Sequence, residues 1–261
     1  DAVMSTGIND IGVVGLGVMG RNLVLNIADH GFRVAAFNRT ASVTREFASA
    51  LEPGQNVQPC YSLEELVEAL ARPRRILMMV KAGPSVDSVI DSLQGLLEPG
   101  DILMDGGNSH FADTERRAGS LETKGIHYLG VGISGGERGA RTGPSLMPGG
   151  PADAYESVRG ILEAIAARAD GEPCVRYLGK GAAGHYTKMV HNGIEYGFME
   201  LIAESYALMR QALGLTNDES AMVYERWNEA ELESYLVGIT AEILKRRDTK
   251  TGGYLVDMIR C

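Results

Sequence analysis

Along the first two-thirds of the chain, short runs of aliphatic and β-branched residues alternate with stretches whose apolar positions recur at helical spacing. That rhythm is the signature of βαβ units, which build a mostly parallel sheet with helices packed on its faces. Strands are expected at 11–15, 33–37, 75–80, 101–105, 126–131 and 174–178. Helices are expected at 19–30, 42–50, 86–97 and 114–124, with another opening at Pro151, a residue favoured at the first helical position. From Gly184 onward the apolar period stays near 3.6 and strands disappear. Helices are expected over 185–213, 217–228 and 230–247, then a loop at 249–253, then an amphipathic helix starting at Tyr254. The pattern thus predicts an α/β domain over residues 1–180, followed by the start of an all-helical domain over 181–261, with 179–184 as the junction.

Composition adds two points to this picture. Glycine supplies 33 of 261 residues, nearly twice the usual share of about 7%, without a collagen-like period. Several backbone segments are therefore expected to approach something closely. The 25 basic and 34 acidic side chains leave a net charge of −9, which argues against a nucleic-acid coat or a binder of anionic membranes. No apolar run approaches the roughly 18 residues of a membrane span, and the start, Asp1-Ala-Val-Met-Ser5, lacks the basic and apolar regions of a signal peptide. Cys60, Cys174 and Cys261 are odd in number and far apart, which reads as free thiols in a reducing, cytoplasmic setting. The chain opens without methionine and stops at Cys261 inside what reads as a helix, so it is expected to be a truncated piece of a longer protein.

Chemistry enters first at Gly15-Leu16-Gly17-Val18-Met19-Gly20, a G-x-G-x-x-G run that directly follows an expected strand and opens an expected helix. Gly15 suits a tight turn, Gly17 lets the backbone approach a pyrophosphate, and Gly20 allows close helix packing, with helix amides facing the negative charge. Accidental glycines in an ordinary strand-turn-helix are the plain alternative. With the fingerprint in place, the fold class is Rossmann-like. At the end of the second strand an acidic residue would hold the ribose of NAD; here the residues are Asn38-Arg39-Thr40. Arg39 can pair with a 2′-phosphate and Asn38 and Thr40 can hydrogen-bond it, so NADP is favoured; a polar turn capping the next helix is the other reading.

Thirteen glycines fall between Gly100 and Gly150, clustered at Asp105-Gly-Gly-Asn108-Ser109 and Ser134-Gly135-Gly136-Glu-Arg138. Ligands of open α/β sheets bind outside the carboxyl ends of strands, where Asn108 and Ser134 would offer uncharged donors and acceptors. A third strand end, Val80-Lys81-Ala82-Gly-Pro84, could line the nicotinamide side. Any one of these could be a plain turn. On the long helix after Gly184, Lys188, His191, Asn192 and Glu195 stand at i, i+3, i+4 and i+7, one face, with Tyr196 beside them. A solvated polar face is the bland alternative. The five histidines include no pair four residues apart, so no metal is expected and the stripe reads as acid–base chemistry.

These segments, with Gly132-Ile-Ser-Gly-Gly-Glu137 and Lys188-Met-Val-His-Asn-Gly-Ile-Glu-Tyr196, together resemble the decarboxylating 6-phosphogluconate dehydrogenases from about Ile11 to the chain end. The first motif is shared by all β-hydroxyacid dehydrogenases; the last two are far more specific. The resemblance implies oxidation of 6-phospho-D-gluconate by NADP to D-ribulose 5-phosphate and carbon dioxide, a step of the pentose phosphate pathway, without a metal. It implies that Lys188 is the base for the 3-hydroxyl proton and, once protonated, polarises the ketone while carbon dioxide leaves; Glu195 then protonates C1 of the enediol. By the same resemblance Asn108, Ser134, Gly135, Gly136, His191, Asn192 and Tyr196 hold the sugar acid. Gly15, Leu16, Gly17, Val18, Met19, Gly20, Asn38, Arg39, Thr40, Val80, Lys81, Ala82 and Asn108 line the cofactor, and the full-length enzyme is a homodimer.

The pattern departs from the family past Cys261, where relatives continue into a phosphate-binding loop and a tail reaching the partner subunit. Loss of that remote binding energy implies weak or no turnover for this chain alone, and Leu232, Leu236 and Ile243 are expected to form an apolar patch. Two alternatives stay open from the sequence. A 3-hydroxyisobutyrate-type dehydrogenase shares the glycine fingerprint, the lysine and Asn192, but needs no second proton donor at Glu195. A catalytically silent NADP-binding module needs neither side chain.

Overall fold

Two compact units, residues 1–190 and 191–261, make up the chain. The computed structural model describes residues 9–259; the start at Asp1 and the thiol of Cys261 lie outside the described residues. In chain order the first unit runs β1 (Ile11–Val14), α1 (Val18–Asp29), β2 (Val34–Phe37), α2 (Ala41–Ser49), β3 (Val57–Cys60), α3 (Leu63–Glu68), β4 (Arg75–Met78) and α4 (Pro84–Leu93). It continues through β5 (Ile102–Asp105), α5 (Phe111–Glu122), β6 (His127–Ser134), α6 (Gly136–Thr142), β7 (Ser145–Gly149), α7 (Ala152–Ile165) and the two-residue strands β8 (Arg168–Ala169) and β9 (Glu172–Pro173). Then comes the long helix α8 (Ala183–Gln211), whose Ala183–Val190 part belongs to the first unit.

The main sheet has the order β3-β2-β1-β4-β5-β6-β7, parallel except for β7, which pairs antiparallel with β6. Alternate strand residues feed two cores, as a pleat with both faces covered requires. Ile11, Val13, Val34, Ala36, Ile102 and Met104 pack with Leu23, Val24 and Ile27 of α1 and Val158, Ile161 and Ile165 of α7. Val14, Ala35, Phe37 and Leu103 turn the other way, toward Leu66 of α3, Ile90 of α4 and Leu121 of α5. The order reverses between β1 and β4, and the carboxyl ends of β1, β2, β4 and β5 open on that crevice, the usual ligand position of such sheets. The mostly parallel α/β architecture is the one the hydrophobic rhythm predicts.

Three expectations are corrected. Residues 174–178 do not form a strand: they lie beside β7 with one bridge, Val175 to Leu146, and with the Leu146 amide donating to the Cys174 carbonyl at 2.9 Å. Pro148 in β7 has no N–H to give, so a continuous ladder cannot form there. The third helix of the C-terminal part starts at Tyr235 rather than 230, because the Ser234 side chain accepts from the Val237 amide and caps it. No amphipathic helix grows from Tyr254: Leu255–Met258 is one 3-10 turn, and the Leu255 amide donates back to the Arg246 carbonyl. The edge strands β3 and β7, which the pattern missed, each contain a proline and little β-branched sequence.

In the second unit, α9 (Asn217–Asn228) and α10 (Tyr235–Lys245) pack with the later part of α8. Thr216 and Glu219 form a reciprocal capping box at the start of α9. Met209, Ala221, Tyr224, Val237, Ala241 and Leu244 form its core. Leu232 and Ile243 are exposed and Leu236 is half-buried. No helix among the described residues is long and apolar enough to cross a membrane.

Candidate functional site

The glycine-rich turn joins β1 to α1 as its spacing requires. Gly15 adopts φ +103°, and a Cβ there would lie 2.4 Å from the Met79 carbonyl oxygen. A Cβ on Gly20 would lie 1.9 Å from the Gly15 carbonyl, so only glycine lets α1 start this close to the strand. At Gly17 a Cβ would meet nothing within 4 Å, which leaves the amino end of α1 open to an anion. Leu16 is buried in the core, Val18 is exposed and Met19 packs at the core edge, so within this motif a ligand would meet mainly backbone.

Asn38 does structural work that sequence reasoning had not assigned. Its Oδ1 accepts from the Leu16 amide at 3.0 Å and its Nδ2 donates to the Thr40 carbonyl at 3.3 Å, tying the glycine turn to the end of β2. Thr40 is the N-cap of α2 but makes no side-chain cap bond. Arg39 and Thr40 are exposed at the rim of a cleft of about 330 Å³, lined also by Gly15, Gly17, Asn38, Val80 and Lys81. Ala82 is not among its lining residues. The lining carries two cations, Arg39 and Lys81, and no carboxylate. Ser85, Ser88 and Ser92 complete it, and sequence reasoning missed them; their spacing on α4 opposite the buried Val86, Ile90 and Leu93 was the available signal.

At the end of β5, a buried network fixes the loop that carries Asn108. The Asp105 carboxylate accepts from the Gly107 amide at 3.0 Å, from Ser109 Oγ at 2.6 Å and from Tyr128 Oη at 2.9 Å. Arg117 stands 3.7 Å from the same carboxylate, and its Nε and Nη2 each donate to Asp87 at 2.9 Å. That hydrogen bonding holds the Asp87 carboxyl well below the usual carboxylate range and raises Arg117, while burial, and then the Asp105 charge, push the Tyr128 hydroxyl up. Asn108 itself is exposed. Ser134 ends β6, and Gly135 and Gly136 follow at φ +128° and +59°.

The first turns of α8 lie directly on the β6 and β7 backbone. A Cβ on Gly184 would sit 2.1 Å from the Gly130 carbonyl oxygen, and one on Gly132 would sit 2.6 Å from the Lys188 Cβ. Gly130, Gly132, Gly149 and Gly184 are therefore places where the helix meets the sheet too closely for a side chain. Lys188 is only 6% exposed, which no solvated face would show. His185, also buried, has its pKa lowered by burial.

The rest of the stripe lies on the α8 residues of the second unit. There His191 Nδ1 is 3.3 Å from Asn192 Oδ1 and 3.7 Å from a Glu195 carboxylate oxygen, while Tyr196 is 71% exposed. Glu195 follows Lys188 by seven positions in the sequence of α8. Among the described residues no cluster of three or more histidine, cysteine or acidic side chains could hold a metal.

Two family models match the chain: the NAD binding domain of 6-phosphogluconate dehydrogenase over residues 10–179, and the 6-phosphogluconate dehydrogenase C-terminal domain over 184–260. The chain is 57% identical over 251 residues to the NAD(+)-dependent decarboxylating 6-phosphogluconate dehydrogenase of Bacillus subtilis, covering 96% of this chain and 53% of that one. It is 55% identical over 249 residues to the NADP(+)-dependent enzyme of the same organism, covering 95% and 53%. The chain thus spans about half the length of the curated relatives it matches. Among solved structures, Plasmodium falciparum 6-phosphogluconate dehydrogenase, studied in its apo form and in complex with NADP+ and with 6-phosphogluconate, superposes with a TM-score of 0.90 at 47% identity. That match covers 96% of this chain and 54% of the other.

Proposed function

Since this chain belongs to the 6-phosphogluconate dehydrogenase family, we propose that it carries the cofactor cleft and the acid–base side chains for oxidative decarboxylation of 6-phospho-D-gluconate to D-ribulose 5-phosphate and carbon dioxide, in the pentose phosphate pathway. The observation that carries this reading is the burial of Lys188 against Gly132, two residues before Ser134 at the end of β6. Burial disfavours the charged form of an amine and so raises the fraction that is neutral and able to take a proton. Lys188 takes the proton of the 3-hydroxyl; once protonated it polarises the ketone and gives that proton to its oxygen as carbon dioxide leaves and the electron pair of the broken bond forms the enediol. Glu195 delivers a proton to C1 of the enediol. Asn108, Ser134, Gly135, Gly136, His191, Asn192 and Tyr196 orient the sugar acid. Both matched models belong to this enzyme, which favours it over a 3-hydroxyisobutyrate-type dehydrogenase.

The cofactor we propose is NADP, which supplies hydride acceptance when bound. The residues present fit it: an open Gly17 at the start of α1, and Arg39 and Lys81 with no carboxylate to repel a 2′-phosphate. The family itself holds both preferences, as the two Bacillus subtilis names indicate. Residues 1–180 form the proposed nucleotide domain and 181–261 the start of the helical one. A cytoplasmic location and homodimeric assembly of the full-length enzyme belong to the same proposal.

Turnover by this chain alone is expected to be weak, because remote contacts to the substrate help position the reacting carbon. Incubation with NADP and 6-phosphogluconate labelled at C1 tests this by NADPH absorbance and trapped carbon dioxide. We expect NADP binding in the micromolar range and slow, coupled release of both products, abolished by Lys188→Ala or Glu195→Gln. Failure to bind NADP would overturn the reading, and a rate equal to that of full-length relatives would overturn the expectation of weak turnover.

A further inference from the structure

His185 is the one buried histidine among the described residues, and the acid–base scheme does not use it. Its ring joins three elements. Nε2 lies 3.0 Å from the backbone carbonyl oxygen of Asp105 at the end of β5, and Nδ1 lies 2.6 Å from Thr114 Oγ1 on α5, while the ring itself stands on α8. A carbonyl oxygen can only accept, so Nε2 carries the hydrogen; the neutral ring then accepts at Nδ1 from the Thr114 hydroxyl. Asp105, Thr114 and His185 are each no more than 1% exposed, so neither bond can be exchanged for one to bulk water.

The position of the ring gives the clamp its consequence. Beneath it is Gly130, where a Cβ would lie 2.8 Å from Nδ1, and two residues along β6 is Gly132, which seats Lys188 in the same way. His185 and Lys188 are three residues apart on α8, neighbours on one helix face. On the other side, Asp105 is the residue whose carboxylate pins Gly107 and Ser109, and hence the loop bearing Asn108. We propose that His185 is a positioning residue: as its Nε2–H tautomer it fixes the strand-end loop carrying Asn108 to the helical turn carrying Lys188. This rests on the reading above only in taking those two residues to serve one site.

The test uses the whole chain labelled with 15N in histidine and in asparagine side chains and with 13C at the lysine Cε. We expect the His185 ring to show a hydrogen on Nε2 and an unprotonated Nδ1. In His185→Phe the Lys188 Cε and Asn108 side-chain amide signals should both shift and broaden, whereas His185→Gln, whose amide can still donate toward Asp105, should leave both close to the wild type. Thr114→Val, which removes only the hydroxyl, should shift the same two signals less, and it serves if His185→Phe does not fold. A ring hydrogen on Nδ1, or unmoved Lys188 and Asn108 signals in a folded His185→Phe or Thr114→Val chain, would overturn the proposal. NADP binding by the same wild-type sample is read separately: its absence counts against the functional reading, while the ring and side-chain signals decide this one.

Discussion

At Gly132 a single methyl group would press to 2.6 Å from the Lys188 Cβ, with a second clash 3.1 Å from its Cγ. Gly132→Ala should therefore cost about 1–3 kcal/mol of stability, the usual range for overpacking a tight core, and should lower any turnover by displacing the amine. Urea unfolding and the coupled product assay measure the two effects. The buried His185 gives a pH signature. Burial lowers its pKa in the folded chain, against the opposing Asp105 charge and with the Arg117 charge, so the unfolded state binds more protons just below its ordinary value of about 6.5. Stability should be full above that pH and decline as pH falls toward the lowered folded value. His185→Gln should flatten the decline below about pH 6.5 in urea midpoints, and an unchanged slope would show that other groups cause it. The glycine fingerprint and the Lys188 stripe were both legible as spacing. That Lys188 is buried was not, because burial here depends on glycines more than fifty positions away.

Helix α4 shows how an element can serve the core and the cleft at once. Val86, Ile90 and Leu93 are buried, while Ser85, Ser88 and Ser92 line the cleft that Arg39 also lines. An acid introduced there would face the proposed 2′-phosphate, so Ser88→Asp should weaken NADP by at least about tenfold and NAD far less. Fluorescence titration with both dinucleotides checks this, and equal losses would remove the 2′-phosphate from that end of the cleft. In the second unit the Thr216–Glu219 capping box satisfies two orphan donors at the start of α9. Thr216→Ala should cost about 0.5–2 kcal/mol, visible in thermal unfolding. Elements with strong periodicity, such as α1 and α9, were readable from sequence to within a residue or two, and the opening of α7 at Pro151 to within one. The 174–178 segment was not, since its apolar pattern suits a strand while the partner it meets, β7, holds Pro148.

On the scale of the whole molecule, the second unit exposes Leu201, Leu208, Leu213, Tyr235 and Ile243, a density of apolar surface that favours association. Light scattering at rising concentration should detect self-association, reduced in Leu213→Glu with Ile243→Glu; a chain that stays monomeric would show those faces to be tolerated in water. The sequence by itself determined the α/β rhythm, the glycine turn after β1, the change to helices after Gly184 and the family, because each is written in local spacing that a helix or strand converts directly into a face. Tertiary structure alone decided the seat of α8 on Gly130 and Gly132 and the Asp105–Arg117–Asp87 network. Those features pair residues distant along the chain, and only the sheet order β1-β4-β5-β6 brings them within reach of one another.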